Sequence, residues 1–114
     1  MHPVLVVLCT FPDAEKARAT GTALVEARLA ACVNLLPGIE SIYRWQGAVE
    51  SATEVLAVFK THAGNWPAFE ERLKALHPYE VPEIIALRPE QVAESYARWI
   101  AAGSGPLADA APPG

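Results

Sequence analysis

Side chains that could bind a metal ion or a small ligand occur near the ends of apolar runs in this chain. Cys9 ends one such run, Lys60 lies near the end of another, and His77, Tyr79 and Glu80 fall within the segment HPYEVPEII, residues 77–85. A cysteine thiolate together with a histidine imidazole suits copper or zinc. A lysine on a strand could instead bind an anion, so the residue types predict two different kinds of site.

Each of these residues also has a purely structural interpretation. Free cysteine is often buried, so Cys9 can be a small core side chain. His77 can bond the last carbonyl groups of a helix that ends before it, and Lys60 can be an exposed or edge lysine that discourages aggregation. Glu80 and Glu83 could act as an acid and a base, but the sequence does not place them opposite each other. From the residues alone, these alternatives stay open.

Composition excludes several classes of function. The chain has 114 residues, of which 52% are apolar and 19% charged, as expected for one folded domain. Its formal net charge of −4 and the lack of a Lys/Arg cluster argue against nucleic acid and anionic membranes as partners. The chain lacks the motifs of phosphate-binding loops, zinc proteases and serine hydrolases, and its three histidines are scattered at positions 2, 62 and 77. We therefore predict that it is not an enzyme.

The apolar run at residues 4–9 is too short to span a membrane and lacks a basic n-region. We therefore expect a cytoplasmic protein, in which Cys9 and Cys32 are free thiols because that compartment is reducing.

Apolar periodicity and turn residues predict the elements that must position these side chains. Strands are predicted at residues 4–9, 32–36, 39–45, 49–61 and 83–87, with a bend or bulge at Pro37-Gly38 and a hairpin tip at Gln46-Gly47. One helix is capped by Asp13 and continues to about residue 30. A second spans residues 66–76 and is stopped by Pro78. A last helix carries Val92, Tyr96, Trp99 and Ile100, and residues 103–114 are predicted to form a loose tail.

The resulting order, β-α-β-β-α-β with an extra C-terminal helix, predicts an α+β ferredoxin-like sandwich whose helices cover one face of an antiparallel sheet. In this topology the first and third strands lie at the centre. Both are apolar on both faces, in the words VLVVLC and VLAVF. The face without helices therefore needs another cover, and we expect a second copy of the chain to supply it.

Several long segments of the sequence resemble the CutA family of divalent-cation tolerance proteins, both in their residues and in their order and spacing along the chain. They are VLCTFPD (7–13), LAACVNLLPGIESIYRWQG (29–47), the VFKT run that ends at Thr61, and HPYEVPEII (77–85), followed by Tyr96 and Trp99. The resemblance covers residues 4–100, which agrees with a single domain at residues 1–102.

The resemblance implies a ferredoxin-like subunit in a PII-like homotrimer, with no established catalytic activity and a role in tolerance to copper or another divalent cation. It also implies that Cys9 and His77 are the copper ligands. Some relatives carry two consecutive histidines where this chain has Leu76-His77, so one proposed ligand is absent here. A second hypothesis is a PII-like sensor or adaptor that binds a small anion between subunits, near Lys60, Tyr79 and Glu80.

Overall fold

A computed structural model describes residues 2–106 as an α+β protein with one four-stranded antiparallel sheet and three helices. The elements in chain order are β1 Val4–Phe11, α1 Ala14–Glu26, β2 Cys32–Trp45, β3 Ala48–His62, α2 Trp66–Leu76, β4 Ile85–Leu87 and α3 Glu94–Gly103. A 3₁₀ turn at Ala63–Asn65 joins β3 to α2. This order confirms the predicted ferredoxin-like sandwich with an additional C-terminal helix.

The strands lie in the order β2-β3-β1-β4, so β1 and β3 are central, as predicted. The helices α1 and α2 cover one face of the sheet. Leu24 of α1 and Phe69 of α2 are fully buried there, in one core with Val7 of β1 and Phe59 of β3. No helix in the described part of the chain is long and apolar enough to cross a membrane.

The strands β2 and β3 form a long hairpin with the predicted bulge between Leu36 and Ile39. At its tip, Gln46 and Gly47 have φ angles of 50° and 83°. Positive φ at both central residues defines a type I′ turn, whose twist matches that of the two strands. The hairpin therefore keeps its register to the last pair, Trp45 with Ala48.

The end of α1 was predicted wrongly. The helix stops at Glu26 and not near residue 30, because Arg28 adopts a left-handed conformation with φ of 61°. The amide of Leu29 then donates to the Leu24 carbonyl oxygen at 3.0 Å, which satisfies one of the open carbonyl groups at the helix end. Smaller differences are that β1 continues to Phe11, that β4 begins at Ile85, and that Val92 precedes α3.

The first residues of the predicted tail lie against the body of the protein. Gly103 ends α3, Ser104 is 2% exposed, and the amide of Gly105 donates to the Arg28 carbonyl oxygen at 2.6 Å. The Arg28 side chain donates back to the Gly105 and Ala102 carbonyl oxygens at 2.9 and 2.8 Å. The remainder of the predicted tail, residues 107–114, lies outside the described residues.

The other face of the sheet is an apolar surface. Its centre consists of half-buried side chains of the central strands, Val6, Leu8, Leu56 and Val58. Around them lie Leu36, Ile85 and Leu87, which are 44%, 47% and 48% exposed. We refer to these seven residues as the open face.

Candidate functional site

The structure brings Cys9 and His77 together at the end of β1. The Cys9 thiol contacts the Thr10 carbonyl oxygen at 3.9 Å, and the His77 Nε2 atom lies 2.8 Å from the same oxygen. The His77 ring also stacks on Phe11, with the ring centroids 4.5 Å apart. Two residues far apart in the sequence therefore converge on one backbone oxygen.

His77 reaches this position because α2 ends at Leu76. The His77 amide still bonds the Leu73 carbonyl oxygen, but its backbone is already extended, as Pro78 requires. The Tyr79 amide then donates to His77 Nδ1 at 3.0 Å. Because Nδ1 accepts, Nε2 carries the ring proton and donates to the Thr10 carbonyl oxygen. Both ring nitrogens therefore have protein partners.

Burial lowers the pKa of His77 below its ordinary value, with the bond to the Thr10 carbonyl oxygen and the Glu54 carboxylate acting in the opposite direction. The imidazole is consequently neutral at pH 7, which is the form that ligates metals. The predicted alternative was that the ring bonds the last carbonyl groups of α2. The ring instead bonds β1, and only the backbone of His77 completes the helix.

Cys9 is fully buried and points to the helix-covered side of the sheet. Burial, followed by the Glu83 and Glu54 carboxylates, raises the pKa of its thiol to about 12. The group is therefore a protonated thiol at neutral pH. A metal ion that binds it must displace this proton, since thiolate is the ligating form.

The donor set at this point is small. Within residues 2–106, no three His, Cys, Asp or Glu side chains are arranged so that they could hold a metal ion together. A structural zinc site would need four ligands, which the Cys9 and His77 pair does not provide. A sulfur and an imidazole nitrogen that both approach the Thr10 carbonyl oxygen are ligand types compatible with copper, which accepts soft ligands.

Tyr79 and Glu80, which follow His77 in the segment between α2 and β4, line an open cleft. The Tyr79 hydroxyl donates to Glu54 Oε2 at 2.5 Å, and Glu54 is 8% exposed. Burial, reinforced by this bond, raises the pKa of Tyr79, so the phenol keeps its proton and acts as the donor.

Lys60 does not belong to this cleft within one chain. It pairs with Cys32 of β2 and Val6 of β1, and its ammonium group donates to the Asn34 side chain. At about 3.3 Å per residue, Lys60 lies about 20 Å along β3 from Glu54, the partner of Tyr79. The structure therefore separates Lys60 from Tyr79 and Glu80.

The cleft has a volume of about 730 Å³, and its walls are acidic and aromatic. The carboxylates are Glu50, Glu54, Glu80 and Glu83, and the aromatic rings include Tyr43, Trp45 and Tyr79. Sequence reasoning missed Glu50 and Glu54. The alternation of side chains along a strand could have indicated them, because Glu50 and Glu54 are four residues apart and so lie on the same side of β3. On that side Glu50 pairs with Tyr43, another residue of the cleft.

The sheet and its two covering helices make this chain a ferredoxin-like α+β protein with a candidate ligand site where β1 ends. A family model described as "CutA1 divalent ion tolerance protein" matches residues 5–103. The chain therefore belongs to the CutA1 family, as the sequence words indicated.

The chain is similar to the divalent-cation tolerance protein CutA of Thermus thermophilus, with 51% identity over 100 residues, 88% of this chain and 97% of that protein. A solved structure of a Thermus thermophilus divalent cation tolerance protein superposes with a TM-score of 0.86 and 50% identity over 90% of this chain and 99% of that one. Mouse protein CutA is 45% identical over 97 residues, 85% of this chain and 55% of that protein. The chain thus spans about half of its mammalian relative.

Proposed function

We propose that the protein serves in tolerance to divalent metal ions by binding copper at Cys9 and His77, as a homotrimer without catalytic activity. Membership in the CutA1 family supports the role in metal tolerance. The observation that carries the copper proposal is the convergence of the Cys9 sulfur and the His77 Nε2 atom on the Thr10 carbonyl oxygen.

The surrounding charges favour a cation at this point. The Glu54 and Glu83 carboxylates raise the pKa of the Cys9 thiol because they repel a thiolate. The same negative potential attracts a metal ion, and the ion's own positive charge then reverses the effect on the thiol. The neighbourhood that keeps Cys9 protonated in the metal-free protein therefore supports its ligation by copper.

Copper binding at this pair has two costs. The ion must displace the proton of Cys9, and His77 must give up its 2.8 Å bond to the Thr10 carbonyl oxygen. One released proton makes the apparent affinity rise about tenfold per pH unit as long as the free thiol is protonated.

The experiment is a copper titration of the reduced, full-length protein in competition with a chelator. We expect Cys9→Ser and His77→Ala each to weaken binding at least about tenfold, equivalent to about 1.4 kcal/mol. Cys32→Ser and His62→Ala are matched controls, since they remove the same side-chain types elsewhere and should bind like the wild type. Equal binding by all four variants would remove Cys9 and His77 from the site.

A cytoplasmic location, the domain limits and the trimer are part of the same proposal, and the apolar open face supports the trimer. The second hypothesis, a PII-like sensor or adaptor for a small anion, gains no support within one chain. Lys60 lies far from Tyr79 and Glu80, and the cleft beside those two residues carries carboxylates.

A further inference from the structure

His62, the last residue of β3, contacts three separate parts of the chain. Its Nδ1 atom accepts a hydrogen bond from the Gly64 amide at 3.2 Å, which caps the 3₁₀ turn after β3. Its Nε2 atom faces the backbone of Ser104 and Gly105. The ring of His2 stacks on the His62 ring, nearly parallel to it, with the centroids 5.4 Å apart. All these contacts lie within one chain, so they do not depend on how copies of the chain assemble.

The hydrogen bonds of His62 require its neutral form. Because Nδ1 accepts from the Gly64 amide, Nε2 carries the ring proton and can donate to the Ser104 carbonyl oxygen. A second proton would have to bind at Nδ1, where it would face the N–H group of Gly64 and break that bond. A protonated ring therefore cannot keep its present contacts.

The charges around His62 also oppose its protonation. His2 stacks on it, the Arg28 guanidinium bonds the Gly105 carbonyl oxygen at 2.9 Å, and Lys60 lies two residues earlier on the same side of β3. Within residues 2–106, no carboxylate contributes to the pKa of His62. Burial, followed by the charge of His2, lowers this pKa despite the opposing effect of the C-terminal backbone. A protonated His62 ring is therefore stabilised by moving into water.

The C-terminal segment, residues 104–106, fits closely against the His62 ring. A Cβ atom on Gly105 would lie 3.3 Å from His62 Nε2 and 3.3 Å from Asn65 Oδ1. Gly105 also has a φ angle of 83°, which residues with a side chain rarely adopt. The ring of His62 thus forms one wall of the narrow space that holds Gly105. When the ring moves away, the segment loses that wall.

We propose that His62 is a pH-sensitive latch, which holds residues 104–106 against the end of β3 in its neutral form and releases them when its ring is protonated. His2 assists the release, because two positive rings stacked at this distance repel each other. The sheet stays folded, since His62 is half-buried and lies outside the core cluster. The inference is independent of copper binding, because neither Cys9 nor His77 takes part.

The test is hydrogen exchange of the full-length protein at pH 5.5 and pH 7.5, with protection factors corrected for the intrinsic exchange rate at each pH. We expect the protection of the Gly105 amide to fall about fivefold or more at pH 5.5. A released His62 ring has the ordinary pKa of 6.5, so protonation favours the open state by up to about tenfold per pH unit below that value. His62→Asn places an oxygen where Nδ1 lies and can still cap the turn, but it does not titrate. Its protection should change less than about twofold.

Three comparisons make the result decisive. His77→Gln removes another histidine with a lowered pKa, and it should keep the wild-type change at Gly105. His2→Ala should reduce the change without abolishing it. The Phe59 amide in the middle of β3 reports global unfolding and should stay better protected than the Gly105 amide at both pH values. No change in the wild type, an unchanged pH effect in His62→Asn, loss of the effect in His77→Gln, or equal protection of Gly105 and Phe59 would overturn the proposal.

Discussion

His77 connects the end of α2 to the end of β1 through both nitrogens of its ring. Nδ1 accepts from the Tyr79 amide and Nε2 donates to the Thr10 carbonyl oxygen, while the ring packs on Phe11. One neutral side chain thus holds the corner between the two elements and also offers the proposed metal ligand. Because its ring cannot make both bonds and ligate a metal at once, metal binding must change this corner.

The stability of the protein should depend on the neutral form of His77. Burial lowers the pKa of His77 in the folded state, whereas the unfolded chain has the ordinary value of 6.5. The unfolded state therefore binds more protons as the pH falls through 6.5, and the free energy of unfolding decreases. His62 carries a pKa shift in the same direction, mainly from burial, and adds to the decrease.

We therefore expect the urea midpoint of the wild type to be lower at pH 5.5 than at pH 7.5, and the difference to be smaller in His77→Gln. At pH 7.5, His77→Ala should lower the free energy of unfolding by about 2 kcal/mol, since two hydrogen bonds are lost. Circular dichroism at both pH values measures these differences. An unchanged pH difference in His77→Gln would show that His77 is not protonated on unfolding in this range.

Much of the arrangement where α2 ends beside β1 could be predicted from the sequence, but the hydrogen bond between the His77 ring and the Thr10 carbonyl oxygen could not. Pro78 indicated where α2 ends, and the resemblance to the CutA family paired Cys9 with His77. The partner of the His77 ring is a backbone oxygen of β1, 67 positions earlier in the chain, and backbone groups leave no signal in a pattern of side chains. Periodicity predicts the face of an element and does not identify the atom that it meets.

The end of α1 illustrates the same limit at the scale of an element. The chain has no glycine or asparagine near residue 28 to indicate the left-handed residue that commonly ends a helix. Arg28 takes that conformation because its side chain and carbonyl oxygen together form three bonds to residues 102–105. By contrast, Gly47 indicated the hairpin tip directly, since glycine accepts the positive φ that a type I′ turn requires.

Two substitutions at Arg28 should separate the backbone cost from the side-chain bonds. Both Arg28→Ala and Arg28→Gly lose the two side-chain hydrogen bonds. Alanine keeps a Cβ atom, which is strained in the left-handed conformation at this position, whereas glycine has no Cβ atom and avoids that strain. We expect the glycine variant to be more stable than the alanine variant by about 1 kcal/mol. Chemical denaturation of both variants measures the difference, and an alanine variant as stable as the glycine variant would contradict this account of the helix end.

At the scale of the whole molecule, the sheet has two apolar faces and the helices cover one of them. The open face combines half-buried centres such as Leu8 and Val58 with more exposed neighbours such as Ile85 and Leu87. Contiguous apolar surface of this kind is unusual on a monomer. A second copy of the chain could cover this face without any other protein. Most soluble oligomers are assemblies of identical chains with closed symmetry.

A charge placed at the centre of the open face should separate the copies. Val58→Asp puts a carboxylate where an assembled neighbour would bury it, and an unpaired buried charge costs several kcal/mol. We expect the wild type to sediment as a trimer and Val58→Asp to sediment mainly as a monomer of 12.2 kDa. Ala68→Asp is the matched control, because it introduces the same charge on the exposed side of α2 and should leave the trimer intact. A wild type that sediments as a monomer at micromolar concentration would refute the assembly, and an assembled Val58→Asp would place the interface on another surface.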